Sequence, residues 1–458
     1  MESFPCRFRH ETVDVEVYSS AGSRDEVDIR VLHHDLFATG GAGSIYHNDP
    51  DSGPYAVDAD KFALFSAAAA EFVQRRKPLP AAIHLHDWHT GMLAVLRHFD
   101  PTLTQLRSVR QVFTIHNLSY QGQRPMSGDS SSLAAWYPWL GIDDDLVTQP
   151  GDAAVFNPMA TAIRLADRVN TVSPSYAREI CRPSMPECGF IGGEGLESVL
   201  VEADDAGKLM GILNGCDYLK TSPARPGWQA LVTVARKAIE TWQQTSTHPA
   251  HDVALNNLSG LPKRRPLHVL SSVGRVVDQK MRLFFEATPG GPRALESILA
   301  TLGKNGTVFV LGDGEARYEQ ALVELARVHD NLVFLCGYSG TVSDALFAAG
   351  DLFLMPSSFE PCGISQMLAM RAGQPCVVHG VGGLNDTVDD EVNGFVFGGD
   401  TPAEQAGHFV LRVEEALARR HNDPLYWHKL RDAARDARYD WAKAAQRYAR
   451  ELYDIDPR

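Results

Sequence analysis

The chain has 458 residues, of which 44% are hydrophobic and 22% are charged, and its formal net charge at pH 7 is −14. Such an acidic balance argues against a broad surface for nucleic acid or for an anionic membrane, although a local basic pocket could still bind a small anion. No apolar run approaches the roughly 20 residues of a membrane-spanning helix, and the opening MESFPCRFRH has no long apolar stretch of the kind found in signal peptides.

Seven cysteines are scattered along the chain, and no two of them form a CxxC pair. Isolated cysteines in a large chain are typical of a protein that keeps its thiols reduced. We therefore expect a cytoplasmic protein without a disulfide framework or a zinc site. Nothing in the sequence indicates an oligomeric state.

In the first half, short apolar runs alternate with helical patterns. AAIHLHD and RSVRQVFTIHN predict strands, and WHTGMLAVLRHF between them predicts a helix. TAIRLADRVNTVSPSYAREIC then predicts a helix, a strand, a Ser-Pro turn and a second helix, and LMGILNG closes this half. Strands separated by helices are typical of a parallel sheet that is covered on both faces.

The alternation restarts after residue 265 with LHVLSSVGR and continues through GFVFGG at residues 394–399. Between the halves, the polar stretch from about 220 to 264 predicts an irregular linker. From about residue 424 the chain is helical and carries an aromatic face. The aromatic residues are Tyr426, Trp427, Tyr439, Trp441, Tyr448 and Tyr453.

Glu360, in the segment SSFEPCGISQ, stands where a strand ends and a helix begins. The carboxyl ends of parallel strands form the binding edge of such sheets. The acid could simply favour the helix dipole, but a buried carboxylate needs a partner because burying an unpaired charge is costly. The N–H groups of the Gly363-Ile364-Ser365 turn could bind a phosphate.

Arg275 and Lys280 lie five residues apart just beyond the first strand of the second half. Two cations near a strand's carboxyl end suit a diphosphate, since Arg offers a fork and Lys a point charge. On spacing alone, two solvated surface cations are the simpler interpretation. The nearby VLGDGEARYEQAL falls short of GxGxxG and indicates only a tight strand-to-helix turn.

Two histidine motifs lie in the first half. His84, His86 and His89 form an H-x-H-x-x-H run, which allows the alternative of a metal hydrolase, although no further ligands are evident. His116 directly follows a predicted strand, with Asn117 beside it. At that position we expect a histidine that faces a ligand rather than a core residue.

Ten segments occur in a fixed order from about residue 55 to the end of the chain: HLHDWHTGM, FTIHNLSYQG, NTVSPSYAREI, GILNGCDY, SSVGRVVDQK, VLGDGEARYEQAL, CGYSG, PSSFEPCGISQMLAMRAGQPCVV, GGLNDTV and NGFVF. Together they resemble the bacterial glycogen synthase and plant starch synthase family. The resemblance implies an α/β GT-B fold, with two Rossmann-like domains facing across a cleft. It also implies retaining transfer of glucose from ADP-glucose, or UDP-glucose in some members, to the non-reducing end of an α-1,4-glucan such as glycogen, with no metal or other cofactor.

The resemblance also implies roles for individual residues. Glu360 would lie against the donor sugar, Arg275 and Lys280 would neutralise the departing diphosphate, and His116 would bond the donor glucose. Asp87 would lie near the acceptor sugar and Tyr338 near the adenine. The remaining substrate-binding residues would be Asn117, Cys362, Gly363, Ile364, Ser365, Gly382 and Gly383, with the turn after Cys362 holding the diphosphate.

The chain departs from the family pattern in three places. The family's Lys-x-Gly-Gly-Leu loop has no counterpart before residue 55, since ATGGAGSIYH at 38–47 lacks the lysine and corresponds in position to a later strand. We therefore expect an incomplete N-terminal domain that lacks its first strand, glycine loop and first helix. Val381 and Ser365 stand where the family usually has threonine.

Three domains and two functional alternatives follow from the resemblance. We predict an N-terminal acceptor-side domain over 1–240 with a linker to about 264, a nucleotide-sugar-binding domain over 265–435, and a C-terminal helix over 436–458 that crosses back to the first domain. The alternative to an active synthase is a catalytically weak or inactive homologue that binds glucan or nucleotide, because the donor loop is absent.

Overall fold

The structure, a computed structural model, describes residues 2–19, 27–41, 43, 45–47, 55–142, 144–218 and 225–456. An antiparallel sheet of three strands opens the chain: β1 (Glu2–Phe8), β2 (Glu11–Ser19) and β3 (Arg30–His33). Apolar side chains alternate along β1 and β2, and Phe4 pairs with Val15 across the ladder. This face packs into the N-terminal core, which explains why the hairpin forms.

The N-terminal half continues with seven strands. They are β4 (Ala82–His86), β5 (Arg110–Ile115), β6 (Arg124–Pro125), β7 (Thr148–Gln149), β8 (Asp152–Phe156), β9 (Arg168–Thr171) and β10 (Leu209–Gly211). Four of them form a parallel sheet in the order β10-β9-β5-β4, while β6, β8 and β7 form a small antiparallel sheet. Within the described residues, β4 pairs with β5 alone. The expected loss of a first strand and glycine loop stays a prediction.

Six helices accompany these strands: α1 (Ala56–Arg75), α2 (Gly91–Phe99), α3 (Leu133–Trp136), α4 (Pro158–Leu165), α5 (Pro174–Glu179) and α6 (Glu197–Asp205). Several begin at a capped residue, as the sequence pattern requires. Asn157 accepts from the Ala160 amide to cap α4, and Ser173 accepts from the Tyr176 amide to cap α5. Pro158 and Pro174 stand at the first helical positions, where a missing N–H costs nothing.

The C-terminal half is built on a six-stranded parallel sheet in the order β13-β12-β11-β14-β15-β16. The strands are β11 (His268–Val273), β12 (Gly306–Leu311), β13 (Leu332–Leu335), β14 (Leu352–Met355), β15 (Cys376–His379) and β16 (Gly394–Phe397). β12, β13, β14 and β15 are buried along their whole length. This pattern is typical of a parallel sheet with helices on both faces.

Eleven helices belong to the second half and the C-terminal segment. They are α7 (Trp228–Trp242), α8 (Pro249–Gly260), α9 (Asp278–Phe285), α10 (Ala294–Leu302), α11 (Ala316–Val328), α12 (Gly340–Ala349), α13 (Ser365–Arg371), α14 (Gly382–Asn385), α15 (Pro402–Asn422), α16 (Pro424–Asp436) and α17 (Trp441–Arg447). None of the helices in the described part of the chain is long and apolar enough to cross a membrane.

The prediction of an irregular linker over 220–264 is wrong for the described residues from 228 onward, because α7 and α8 occupy most of them. Leu231, Ala235 and Ile239 are fully buried at helical spacing on α7 and pack with residues of β11, β12 and β13. Because polar residues are abundant on the outer faces of these helices, the helical spacing of the apolar residues does not stand out in the sequence. We propose a domain boundary before Trp228 in place of the one predicted at residue 240.

The C-terminal segment returns to the first domain. Leu452 packs with Val112 of β5, and its carbonyl accepts a hydrogen bond from Arg110 at 2.7 Å. Asn170 donates to the Tyr448 hydroxyl at 3.1 Å. The end of the chain therefore ties the N-terminal sheet to the C-terminal half.

Candidate active site

Three glycine turns at the carboxyl ends of β11, β12 and β13 form one side of a cleft between the halves. They line a cavity of about 540 Å³ together with Arg275, Tyr338 and the first turn of α13. The turns must be glycine where the backbones meet: a Cβ on Gly312, whose φ is +153°, would lie 1.8 Å from the Gly274 carbonyl oxygen. The sheet therefore leaves an open crevice where open α/β folds bind ligands.

Glu360 and Lys280 form an ion pair beside this cavity, where the Lys280 side chain packs against Gly274. Lys280 Nζ lies 2.6 Å from Glu360 Oε2, and the Ser357 hydroxyl donates to the same oxygen at 3.1 Å. Glu360 is only 7% exposed. The sequence predicted both residues for the site but not their contact. The pairing has a clear cause, since a buried carboxylate needs a cation and a hydrogen bond to offset the loss of water.

Arg275 and Tyr338 extend into the open part of the cavity. Arg275 is exposed, and none of the described residues forms an ion pair or hydrogen bond with its guanidinium. Tyr338 is 82% exposed, and its carbonyl accepts from the Trp242 indole at 3.2 Å. Arg275 therefore offers a fork of donors, and Tyr338 an exposed ring face, to a molecule in the crevice.

The turn before α13 presents backbone donors to the same space. No described residue accepts a hydrogen bond from the amides of Gly363, Ile364 or Ser365. Cys362 is buried beside them, packs with the N-terminal core, and burial raises the pKa of its thiol to about 12. This residue therefore remains a neutral packing group, while the three amides that follow it are positioned to meet an anion.

Gly382 and Gly383 hold the Glu360 loop in place. The Gly383 amide donates to the Glu360 carbonyl at 3.0 Å, and the Gly382 amide donates to Glu179 Oε1 at 2.8 Å. A Cβ on Gly382, whose φ is +44°, would lie 2.0 Å from the Glu360 carbonyl oxygen. Contact of these two residues with substrate stays a prediction, and both amides are already engaged within the protein.

The opposite wall of the cleft is organised by Asp87. This residue has a positive φ of 54° and follows β4. Its Oδ1 accepts from the His116 amide at 2.7 Å, and its own amide donates to the Thr114 carbonyl at 2.9 Å. Burial raises the pKa of Asp87 to about 6, and the amides of His116 and Asn117 act in the opposite direction. Asp87 thus fixes the loop that carries His116, and its contact with an acceptor sugar stays a prediction.

The histidine run does not converge on one metal site. Both ring nitrogens of His84 have partners, the Tyr453 hydroxyl at 2.7 Å and the Thr114 hydroxyl at 2.6 Å. His86 Nδ1 lies 3.0 Å from His116 Nε2, whereas His89 stacks on Trp88 with ring centroids 4.4 Å apart. Burial lowers the pKa of His84 to about 3 and that of His89 to about 4. These rings are neutral near pH 7, and their different contacts argue against the metal-hydrolase alternative.

A second cavity of about 270 Å³ lies on this wall and is lined by aromatic residues that the sequence analysis did not select. Tyr46 and Tyr120 have ring centroids 5.1 Å apart, and Tyr55 lies 5.9 Å from Tyr46. Burial raises the pKa of the Tyr46 hydroxyl, and Arg275 acts in the opposite direction from the facing wall. The SYQG segment was an available signal for Tyr120, whereas Tyr46 and Tyr55 lie before the first residue of α1 and no motif distinguishes them.

Helix α5 joins the two walls. The Ser173 hydroxyl donates to the Pro361 carbonyl at 2.5 Å, and the Ser175 amide and hydroxyl both donate to Asp386, each at 2.8 Å. Burial raises the pKa of Glu179, the Gly382 partner, to about 6. The segment SPSYAREI was noticed in the sequence, but these partners are roughly 190 to 210 residues distant and could not be inferred from it.

Comparisons with known proteins found two matching family models and several similar proteins. The family model described as "Starch synthase catalytic domain" matches residues 2–202, and "Glycosyl transferases group 1" matches residues 268–413. The glycogen synthase of Exiguobacterium sibiricum is 33% identical over 406 residues, which cover 85% of this chain and 76% of that protein. The glycogen synthase of Gloeobacter violaceus is 32% identical over 446 residues, covering 96% and 84%.

Two solved structures are similar as well. The catalytic domain of starch synthase IV from Arabidopsis thaliana, bound to ADP and acarbose, has a TM-score of 0.75 and 26% identity and covers 99% of this chain and 87% of that one. Sucrose-phosphate synthase from Thermosynechococcus elongatus has a TM-score of 0.51 and 18% identity, covering 89% and 82%. The second likeness concerns the fold alone.

Proposed function

The chain belongs to the glycogen synthase and starch synthase family of glycosyltransferases, and we propose that it transfers glucose from ADP-glucose to the non-reducing end of an α-1,4-glucan with retention of configuration. The predicted family, GT-B fold and glycosyltransferase activity are confirmed by the matches over nearly the whole chain. The choice of ADP-glucose is supported by the starch synthase IV domain, which was solved with ADP.

The pair Lys280–Glu360 is the observation that carries the proposal. A buried carboxylate and an ammonium group 2.6 Å apart stand at the strand ends, next to the exposed Arg275 and the open amides before α13. A nucleotide diphosphate bound there would meet two cations and several N–H donors. Such groups stabilise the negative charge that grows on the leaving phosphate as the glycosidic bond breaks.

Glu360 would face the sugar from which the nucleotide departs. As the diphosphate draws Lys280 toward its new charge, the Glu360 carboxylate loses part of its partner and is available to the positive charge on the anomeric carbon. The acceptor hydroxyl would attack from the face that ADP leaves, which retains the configuration. Glu360 stabilises this centre electrostatically and does not need to form a covalent bond.

The opposite wall would bind the transferred glucose through neutral groups. His116 would face the cleft, and burial lowers the pKa of its imidazole, so the ring can donate and accept hydrogen bonds without adding charge. Asp87 would hold this ring in position through the His116 amide, at 2.7 Å. This division leaves all the positive charge on the wall that receives the diphosphate.

Tyr46, Tyr55 and Tyr120 would form the acceptor subsite. Their rings line one cavity, and aromatic faces pack against the apolar faces of glucose rings while their hydroxyls reach sugar hydroxyls. The Tyr46 hydroxyl lies 3.2 Å from His89 Nε2, which orients it. This placement brings the glucan to the N-terminal wall, facing Arg275 across the cleft.

We also place the protein in the cytoplasm. All seven cysteines, namely Cys6, Cys181, Cys188, Cys216, Cys336, Cys362 and Cys376, are free thiols in the structure. Thiols of this kind are typical of a reducing compartment.

Incorporation of radiolabelled glucose from ADP-glucose into glycogen tests the proposal, with UDP-glucose as a parallel donor and Glu360→Ala as the inactive control. We expect incorporation from ADP-glucose by the unaltered chain and its loss in the variant. Equal, very low incorporation by both proteins, with glycogen still bound, would instead support the inactive glucan-binding homologue.

A further inference from the structure

Three side chains with metal-binding atoms meet behind the nucleotide crevice, on elements that are distant in sequence. His248 precedes α8, Glu319 lies on α11 and Cys336 follows β13. One ligand atom from each, an imidazole nitrogen, a carboxylate oxygen and the thiol sulfur, lies within 4.8 Å of the other two. His248 Nε2 is 3.4 Å from Glu319 Oε2. The sequence expectation of no zinc site rested on cysteine spacing and did not consider such a group.

The geometry suits a tetrahedral ion of intermediate softness. Zinc binds imidazole nitrogen at about 2.0–2.1 Å, carboxylate oxygen at about 2.0–2.2 Å and thiolate sulfur at about 2.3 Å. Ligand atoms on such a tetrahedron are roughly 3.3–3.7 Å apart, and the observed His248–Glu319 separation of 3.4 Å falls in this range. A set of one nitrogen, one oxygen and one sulfur favours Zn²⁺ over Mg²⁺ or Ca²⁺, which prefer oxygen alone.

Two protons now lie where the ion would sit. His248 Nδ1 accepts from the Ala250 amide at 3.2 Å, so the neutral ring carries its proton on Nε2, toward Glu319. The Cys336 thiol also hydrogen-bonds to Glu319, and the carboxylate of Asp313 lies nearby. Negative charges that hold a proton on sulfur also attract a divalent cation, which replaces that proton.

The surroundings of the cluster fit a site that an ion can enter. The His248 side chain is 27% exposed and that of Glu319 is 14% exposed, so one side of the cluster reaches solvent. On the inner side, His251 is 3% exposed and its Nε2 lies 3.1 Å from the Cys336 carbonyl oxygen. His251 Nδ1 is buried and has no partner among the described residues. This ring is positioned to support the Cys336 backbone, as residues around metal ligands commonly do.

We propose that His248, Glu319 and Cys336 bind one Zn²⁺, with water as the fourth ligand. On binding, the Cys336 sulfur loses its proton to solvent, and the imidazole proton moves from Nε2 to Nδ1, which gives up the bond from Ala250. The site stands apart from the glucosyl transfer and does not rest on the proposed function. It would tie together two loops of the nucleotide crevice, because Cys336 precedes Gly337 and Glu319 accepts from the Gly314 amide at 2.6 Å.

Cobalt binding tests this site directly. Metal-free full-length protein is titrated with Co²⁺ and then with Zn²⁺, and visible absorption reports tetrahedral coordination while near-ultraviolet absorption reports a cobalt–thiolate bond. We expect one Co²⁺ per chain with both signals, and displacement by Zn²⁺. A folded protein that shows no thiolate signal at excess Co²⁺ overturns the proposal.

Matched variants assign the ligands. Cys336→Ser should abolish the thiolate signal, whereas Cys188→Ser, which changes a thiol outside the cluster, should leave it intact. His248→Asn keeps a side-chain cap for α8 but removes the imidazole, and we expect at least a tenfold weaker affinity for Zn²⁺. If Cys336→Ser fails to fold, the affinity of His248→Asn for Zn²⁺ tests the proposed ligands instead. Unchanged affinity in that variant contradicts the assignment.

Discussion

The two walls of the cleft meet the substrate with different chemistry. The C-terminal wall offers charge and backbone donors: Lys280 paired with Glu360, and Arg275 and the amides before α13, for which the described part of the chain supplies no partner. The N-terminal wall offers rings, with histidines whose pKa values burial lowers and a group of tyrosines. We infer that the first wall stabilises the changing charge of the reaction, while the second recognises and orients the sugars.

The largest effect should follow from removing Lys280, since we propose that it stabilises the departing diphosphate and it also pairs with the buried Glu360. Lys280→Ala should lower kcat by about a hundredfold to a thousandfold, as expected when a preorganised donor to a developing charge is lost. It should also lower the free energy of unfolding by about 3 kcal/mol, because Glu360 is left buried and unpaired. Steady-state kinetics and urea denaturation measure the two effects.

Arg275→Ala separates these two roles. Its guanidinium is exposed and has no ion-pair or hydrogen-bond partner among the described residues, so kcat should fall by about a hundredfold while the free energy of unfolding remains unchanged. Lys304→Ala, which removes an exposed lysine far from the cleft, is the matched control. Full activity in Arg275→Ala would show that this residue does not stabilise the departing diphosphate.

Gly382→Ala tests whether the charged wall depends on its close backbone contacts. The added Cβ would lie 2.0 Å from the Glu360 carbonyl oxygen and would require a positive φ, so we expect a loss of about 3 kcal/mol of stability. Gly398→Ala is the control, because nothing lies within 4 Å of its added Cβ. Equal denaturation midpoints for the two variants would show that the Glu360 loop adapts freely.

His84 should make the free energy of unfolding sensitive to acid. Its pKa is about 3 in the folded protein and about 6.5 in the unfolded chain, so the unfolded state binds more protons between these values. The contribution of neutral His84 to the free energy of unfolding is therefore fully present above pH 6.5. It decreases as the pH is lowered, by about 1.4 kcal/mol per pH unit for each such proton. His84→Gln should reduce the slope of unfolding free energy against pH between pH 6.5 and 5 by up to this amount. An unchanged slope would mean that folding does not lower the pKa of His84.

Tyr120→Ala should give the smallest effect, and it should change only the binding of the acceptor glucan. Loss of one aromatic face should raise KM for glycogen by about tenfold, within the 0.5–1.5 kcal/mol typical of aromatic packing, and leave KM for ADP-glucose unchanged. Tyr18→Ala, which removes an exposed tyrosine on β2 of the N-terminal antiparallel sheet, is the control. A raised KM for the nucleotide sugar instead would assign this pocket to the donor.

The sequence allowed prediction of site residues that stand at the ends of strands, but not of contacts between residues that are distant in sequence. Glu360, Lys280, Arg275 and His116 all follow strands or begin helices, and the structure pairs Lys280 with Glu360 beside the cavity that Arg275 lines. The Lys280–Glu360 contact spans 80 residues and is set by packing. Sequence reasoning missed α7 and α8 because their polar faces dominate the composition, and it missed β1 and β2 although their buried side chains alternate with a two-residue period.

The tyrosine pocket and the α5 contacts show why the remaining parts could not be predicted. Tyr46 and Tyr55 lie in or beside a loop with no periodic pattern, so only the fold brings their rings to Tyr120. Ser173 and Ser175 cap and begin a helix, which explains them locally without revealing their contacts with Pro361 and Asp386. Local propensity fixes a residue's element, while the partner depends on the tertiary arrangement.

A crystal structure of the Glu360→Gln variant with ADP-glucose tests the division of the cleft most directly. We predict that the distal phosphate lies within hydrogen-bonding distance of both Arg275 and Lys280, with the glucose between residue 360 and His116. A diphosphate bound away from these two cations, or a glucose bound among the tyrosines, would contradict the account.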